Sequence, residues 1–108
     1  MKTWKDIACP IQRTAELIAD VYILMILRDL IAEPRRFSEL EHSGINPRTL
    51  TNRLKQLMDE GMVSRAVYRE KPPRVEYCLT SKGRALLPVL DALRQYGETW
   101  LPVQESQQ

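Results

Sequence analysis

Ile45-Asn46-Pro47-Arg48-Thr49-Leu50-Thr51-Asn52-Arg53-Leu54-Lys55-Gln56-Leu57-Met58-Asp59-Glu60-Gly61 carries a start signal, an apolar face, a polar face and a stop signal in one continuous stretch. Asn46 offers a side-chain oxygen to an orphaned first-turn amide, and Pro47 suits the first helical position, where its missing N–H is not needed. Gly61 suits the left-handed residue that ends a helix. Leu50, Leu54, Leu57 and Met58 recur at the i, i+4, i+7, i+8 spacing of a core-facing stripe. At ~100° per residue, Arg48, Asn52, Lys55 and Gln56 then project from the other side, flanked by Thr49 and Thr51. Such side chains pair with guanine or adenine edges or grip phosphate oxygens, so the stretch reads as a DNA recognition helix. An ordinary solvated helix face is the alternative, and the neighbouring segments decide between the two.

The chain has 108 residues, enough for one domain (1–108) with a modest core that gains from burying further surface in an oligomer. The net charge of +2 is small but unevenly placed. Segment 46–74 holds seven basic residues (Arg48, Arg53, Lys55, Arg65, Arg69, Lys71, Arg74) against three acids (Asp59, Glu60, Glu70), whereas each flanking segment sums to −1. A basic excess on one portion of the chain is the footprint expected for a polyanion. The two cysteines, Cys9 and Cys78, match no metal spacing and are too few for a secreted disulfide framework. No signal-peptide region opens the chain, and the apolar run Val21 to Leu27 is too short to span a bilayer. A cytoplasmic protein with no membrane partner, metal or cofactor is expected.

Ile11, Ala15 and Ile18 share one face of a short helix starting near Pro10, with Arg13 and Glu16 on its wet side. Val21 to Leu27 has the composition of a buried strand, but continuation through Arg28-Asp29-Leu30-Ile31 at helical spacing favours a core helix. Pro34 ends it. Ser38 with Glu41 forms a capping-box pattern for a short helix that Gly44 stops, and the lone His42 has no partner at zinc-site spacing. A short helix ending in glycine, followed at once by the Asn46-capped helix, is the sequence image of a helix-turn-helix.

After Gly61 the pattern changes. Met62 to Arg69 is rich in strand formers, and Arg74 to Thr80 alternates, with Val75, Tyr77 and Leu79 on one face. Glu70-Lys71-Pro72-Pro73 is the expected turn, giving a two-stranded ribbon whose tip carries Arg69, Lys71 and Arg74 as candidate DNA contacts. Thr80 or Ser81 caps a last helix that Pro88 should kink or split. Leu86, Leu90 and Leu93 form its stripe, with Val89, Tyr96, Trp100 and Leu101 adding bulk. The fold class expected is mainly α with a small β-hairpin: a winged helix-turn-helix. Segments 1–19 and 81–101 are expected to be dimerisation helices, the latter through Leu86, Val89, Leu90, Leu93, Tyr96 and Trp100. The alternative is that the last helix folds back on its own core. Residues 102–108 read as a flexible tail.

Several motifs together, in order, carry a resemblance: Cys9-Pro10, Ile26-Leu27-Arg28-Asp29-Leu30, Pro34-Arg35-Arg36-Phe37-Ser38-Glu39-Leu40, Leu50-Thr51-Asn52-Arg53-Leu54, Gly61-Met62-Val63, Pro72-Pro73-Arg74-Val75-Glu76-Tyr77 and Gly83-Arg84-Ala85-Leu86-Leu87-Pro88-Val89-Leu90. From Cys9 to Tyr96 the chain resembles the HxlR family of bacterial winged-helix transcription regulators. The resemblance implies a homodimer that binds double-stranded operator DNA and acts as a repressor or activator of nearby genes. It also implies a cysteine at the position of Cys9 that senses electrophiles or oxidants in several relatives. This chain has Ala19-Asp20-Val21-Tyr22 where the family usually has a Gly-Gly-Lys-Trp-like step, and its His42-Ser43-Gly44 turn is shorter than the common form. Relatives with an intersubunit disulfide use a cysteine nearer the C-terminus, and none follows Cys78 here. Independently of resemblance, a thiol just before a helix N-terminus faces the positive end of the helix dipole, which favours the reactive thiolate. A half-buried filler is the other reading of Cys9.

An enzyme is the least supported class, because the chain has no glycine-rich phosphate loop, no metal cluster and only one His. A winged helix used as a protein-interaction module, without sequence-specific DNA binding, is the alternative to a regulator. Such a module has no need of Arg48, Asn52 and Lys55 beside a basic wing. The two also differ in salt dependence, which is steep only for binding to a polyanion.

Overall fold

A computed structural model describes residues 4–104. After a 3-10 turn at Trp4–Asp6 come α1 (Pro10–Ile18), α2 (Val21–Ala32), α3 (Phe37–Glu41) and α4 (Pro47–Asp59). Then follow the strands β1 (Val63–Glu70) and β2 (Pro73–Leu79), and the helices α5 (Ser81–Arg84) and α6 (Leu87–Trp100). The order is that of a winged helix-turn-helix with a helix added at each end.

The apolar run from Val21 is the central helix, and Asp20 is what starts it. The Asp20 carboxylate accepts from the Tyr22 and Ile23 amides at 2.9 and 3.0 Å, filling two of the orphan donors of the first turn. Ile26, Leu27 and Leu30 of α2 are fully buried together with Leu40 of α3 and Leu50, Leu54 and Leu57 of α4, in one cluster. Met58 completes the α4 stripe but is only partly buried at its edge.

Helix α4 ends as its glycine demands. Gly61 has φ +72°, the Gly61 amide donates to Met58 O at 3.0 Å, and the Met62 amide reaches back to Leu57 O at 2.9 Å. This paired closure needs a left-handed residue, and it turns Met62 and Val63 into the core as β1 begins. Thr80 binds back onto the same corner, its hydroxyl donating to Gly61 O at 2.6 Å and its amide to Met62 O at 3.0 Å. Gly83 lies so close that an added Cβ would overlap the Met62 carbonyl oxygen.

Several expectations need correction. The cap of α3 is not Ser38 with Glu41: the helix begins at Phe37, two residues too early for Ser38 to lie outside it. Instead Glu39 Oε1 accepts from the Arg36 amide at 2.7 Å. Arg13 is not on a wet face, because its Nη1 donates to the carbonyls of Ile7 and Ala8 at 2.9 and 3.0 Å and folds the N-terminal segment against α1. Ile11 and Ala15 face solvent, and Ile18 alone of that stripe is buried. The ribbon's turn is shorter than Glu70 to Pro73, since those two residues still pair. The ribbon has the two strands expected, and one isolated bridge adds to it. Arg35 and Tyr77 exchange backbone hydrogen bonds at 3.0 and 2.7 Å, stapling the chain ahead of α3 to the base of β2. Pro88 splits the last helix, falling in the first turn of α6 after a break at Ala85-Leu86, where its missing amide costs nothing. Of the tail 102–108, residues 105–108 lie outside the described residues.

Candidate nucleic-acid interface

The polar face of α4 is built by its buried one. With Leu50, Leu54 and Leu57 turned inward, Arg48, Thr51, Asn52, Lys55 and Gln56 are exposed and Thr49 is half-buried. Asn46 Oδ1 accepts from the Arg48 amide at 2.8 Å, so the N-terminal turn that carries Arg48 is anchored. Lys55 makes only an exposed contact with Asp59, at 3.3 Å, which a phosphate easily replaces. Gln56 continues the i, i+4, i+8 row of Arg48 and Asn52 toward the flank of the helix and lines a cleft with Glu16, Leu17 and Glu60.

The wing carries its charges at the tip. Lys71 and Arg74 are exposed, and Arg74 Nη2 stands 3.6 Å from Glu76 Oε2. Arg69 pairs with Arg74 through the backbone, and its side chain lies outside the described residues. The register shifts between Val67 and Arg69, so Tyr68 sits in a bulge, 59% exposed. This places an aromatic hydroxyl among the wing cations, a feature sequence reasoning passed over because the bulge is invisible in the sequence.

Three polar staples fix the helix-turn-helix. Ser43, in the turn between α3 and α4, donates to Asp29 Oδ2 on α2 and accepts from Arg28 Nη2 at 3.3 Å. Arg53 on α4 reaches Asp20, Nε at 3.2 Å and Nη2 at 3.1 Å from Oδ2. At the far end of α4, Trp4 Nε1 donates to Glu60 Oε2 at 2.9 Å, while Lys82 Nζ donates to Glu60 O at 2.7 Å and stands 5.8 Å from the Trp4 ring. The sequence alone marked none of these pairs, which join residues as far apart as Trp4 and Glu60.

Of the proposed dimer residues, Leu90 is buried in the chain's own core and Leu86 packs partly against it. Val89, Leu93, Tyr96 and Trp100 remain exposed, the last three at 50, 61 and 69%. Val89 and Leu93 join Pro10, Ile11, Ala15, Ile18 and Leu24 around an apolar groove of about 450 Å³ between α1 and α6. Cys9 is exposed at the N-cap of α1 and makes no side-chain cap bond. Cys78 is half-buried in β2, its Sγ 3.1 Å from Ser64 Oγ. Among the described residues no group of three or more His, Cys, Asp or Glu side chains is placed to hold a metal ion. No helix there is long and apolar enough to cross a membrane.

A capped helix with an outward polar face, set in a helix-turn-helix and followed by a basic wing, defines a winged-helix transcription regulator that binds DNA. The HxlR-like helix-turn-helix family matches residues 17–105, and the chain belongs to that family. It is 44% identical over 95 residues to an uncharacterised HTH-type transcriptional regulator of Synechocystis, covering 86% of this chain and 70% of that one. Its structure is similar to that of the redox regulator HypR in its reduced form, with a TM-score of 0.79, 33% identity and coverage of 84% of this chain and 92% of the other. It is also similar to the reduced form of the transcriptional regulator YodB from B. subtilis, with a TM-score of 0.75, 29% identity and coverage of 92 and 100%. The family and these relatives are transcriptional regulators rather than enzymes.

Burial pushes the Asp20 carboxyl up, but the hydrogen bond from Arg53, the amides of Ile23 and Tyr22 and the Arg53 charge outweigh it and hold the group below its ordinary value of 3.8. A lowered folded-state value means the carboxylate stabilises the fold above that ordinary value and loses its contribution as pH falls through the folded one. Denaturant unfolding measured from about pH 5 down to about pH 2 should therefore show a steeper loss of stability for the parent than for Asp20→Asn. Parallel curves would mean that the pair carries no linkage.

Proposed function

We propose that this protein is a homodimer that reads operator DNA through Arg48, Thr51, Asn52 and Lys55 in a major groove. Thr49 and Gln56 border that face, and the wing residues Arg69, Lys71 and Arg74 grip the backbone or adjoining minor groove. The single observation that carries DNA reading is the anchored, outward polar face of α4. Its place of action is the cytoplasm, with the DNA. Arg48→Ala and Asn52→Ala should each weaken binding to a selected duplex by ~1–3 kcal/mol and relax its sequence preference. Lys71→Ala and Arg74→Ala should lower affinity for selected and random duplexes alike. Four variants that bind like the parent in fluorescence anisotropy would show that DNA is held elsewhere.

The apolar groove between α1 and α6 supports the dimer. Large side chains left open along one side of a small domain are the mark of an association surface, and a second copy presents the same open Val89, Leu93, Tyr96 and Trp100. Two-fold pairing there sets two α4 helices against one DNA face, with half-site centres ~10 or ~20 base pairs apart. Val89→Glu combined with Leu93→Glu should sediment as a monomer at tens of micromolar, where the parent sediments as a dimer. A monomeric parent overturns this part.

Cys9 is the proposed point of response to electrophiles or oxidants. Its thiol is exposed at the start of the helix that lines the groove, and the similarity to the redox regulator HypR supports the assignment. Diamide or a quinone should change operator affinity in the parent and leave Cys9→Ser unaffected. Equal affinities in both proteins before and after treatment would remove Cys9 from the signal.

A further inference from the structure

Asp20 divides its two carboxylate oxygens between two helices. Oδ1 accepts from the Tyr22 and Ile23 amides and is thereby tied to the N-terminus of α2. Oδ2 accepts from Nε and Nη2 of Arg53, in the middle of α4. Both side chains are half-buried, and Arg53 is one residue beyond Asn52, on the flank between the core stripe and the polar face.

That position answers a problem which the apolar core leaves open. Burial of Leu50, Leu54 and Leu57 holds α4 against α2 strongly but through a non-directional force, so it fixes the helix's rotation less sharply than a directional bond does. A rotation of about 20° carries a side-chain tip, about 6 Å from the axis, through about 2 Å. A hydrogen bond to a base edge tolerates only a few tenths of an ångström. A guanidinium fork is directional, and here it closes on an oxygen whose place is already set by the cap of another helix.

We infer that Asp20 and Arg53 are positioning residues for base readout: their pair sets the rotation of α4 on α2, and so the reach of Arg48 and Asn52, while withholding the Arg53 charge from the DNA backbone. The inference rests on the polar face of α4 being the base-contacting face. It gives Asp20 a role in specificity although it lies outside α4.

The test uses a duplex enriched from a random-sequence pool by the parent protein and a shuffled duplex of the same length and composition. Asp20→Asn keeps an oxygen for the cap but loses the charge that holds Arg53. It should bind the enriched duplex about five- to tenfold more weakly and the shuffled duplex as tightly as the parent or more so, with the circular dichroism spectrum unchanged. Arg53→Gln, which leaves the cap untouched, should lose the same preference. If Asp20→Asn retains the parent's preference, or Arg53→Gln weakens both duplexes alike, Arg53 is a phosphate contact or a bystander and the proposal is overturned. Arg48→Ala is the control for the face itself. Should it lose the preference while Asp20→Asn does not, the face stands and the positioning role alone fails; should it keep the preference, both fail.

Discussion

The recognition helix has to be held firmly by one face and left bare on the other, and the leucine stripe at Leu50, Leu54 and Leu57 meets both demands. Burying each leucine stabilises the fold by about 1.5–3 kcal/mol, so the stripe outweighs any polar contact that α4 makes. The rest of the structure follows from this docking. Helix α2 supplies the opposing surface through Ile26, Leu27 and Leu30. The glycine closure at Gly61 then turns Met62 and Val63 inward, which sets where the wing leaves the core. The Arg35 to Tyr77 bridge holds the other side of the wing at a fixed offset from the helix-turn-helix.

Against that core the polar staples are small. An exposed or half-exposed ion pair contributes up to about 1 kcal/mol, too little to decide whether the chain folds. Their value lies in direction. Asp20 with Arg53, Ser43 with Asp29 and Trp4 with Glu60 grip α4 near its middle, before its start and past its end. The Trp4 contact also joins the N-terminal segment, and with it the stretch leading to Cys9, to the end of the recognition helix. A change in the path of that segment therefore has a physical route to the end of α4.

The added helices divide their apolar residues between two purposes. Leu90 goes to the core of its own chain and Leu86 packs at its edge, whereas Val89, Leu93, Tyr96 and Trp100 stay open beside Ile11 and Ala15. A period of apolar residues records only that a face is greasy. Which part of the face meets its own domain depends on how α6, starting afresh after the break at Ala85-Leu86, packs on α2.

Local chemistry was legible in the sequence. The Asn46 cap, Pro47, the leucine stripe, the Gly61 stop, the Pro88 break and the Thr80 cap depend on residues within a turn or two of each other, and backbone geometry alone makes them predictable. The outward residues of α4 were legible for the same reason, since helical periodicity fixes which side chains oppose a buried stripe. The cap of α3 misled because Ser38 and Glu41 have the right spacing two residues late, and only the observed start at Phe37 shows Glu39 to be the residue that reaches back. Contacts between distant parts of the chain left no periodic trace: Asp20 with Arg53, Trp4 with Glu60 and Arg35 with Tyr77 exist because packing brings helices and strand together. The sequence by itself determined the main elements, both ends of α4 and its polar face, because those are properties of short backbone segments. The tertiary structure alone decided how that face is aimed and which apolar residues are left uncovered, because both depend on the relative placement of helices that no local rule encodes.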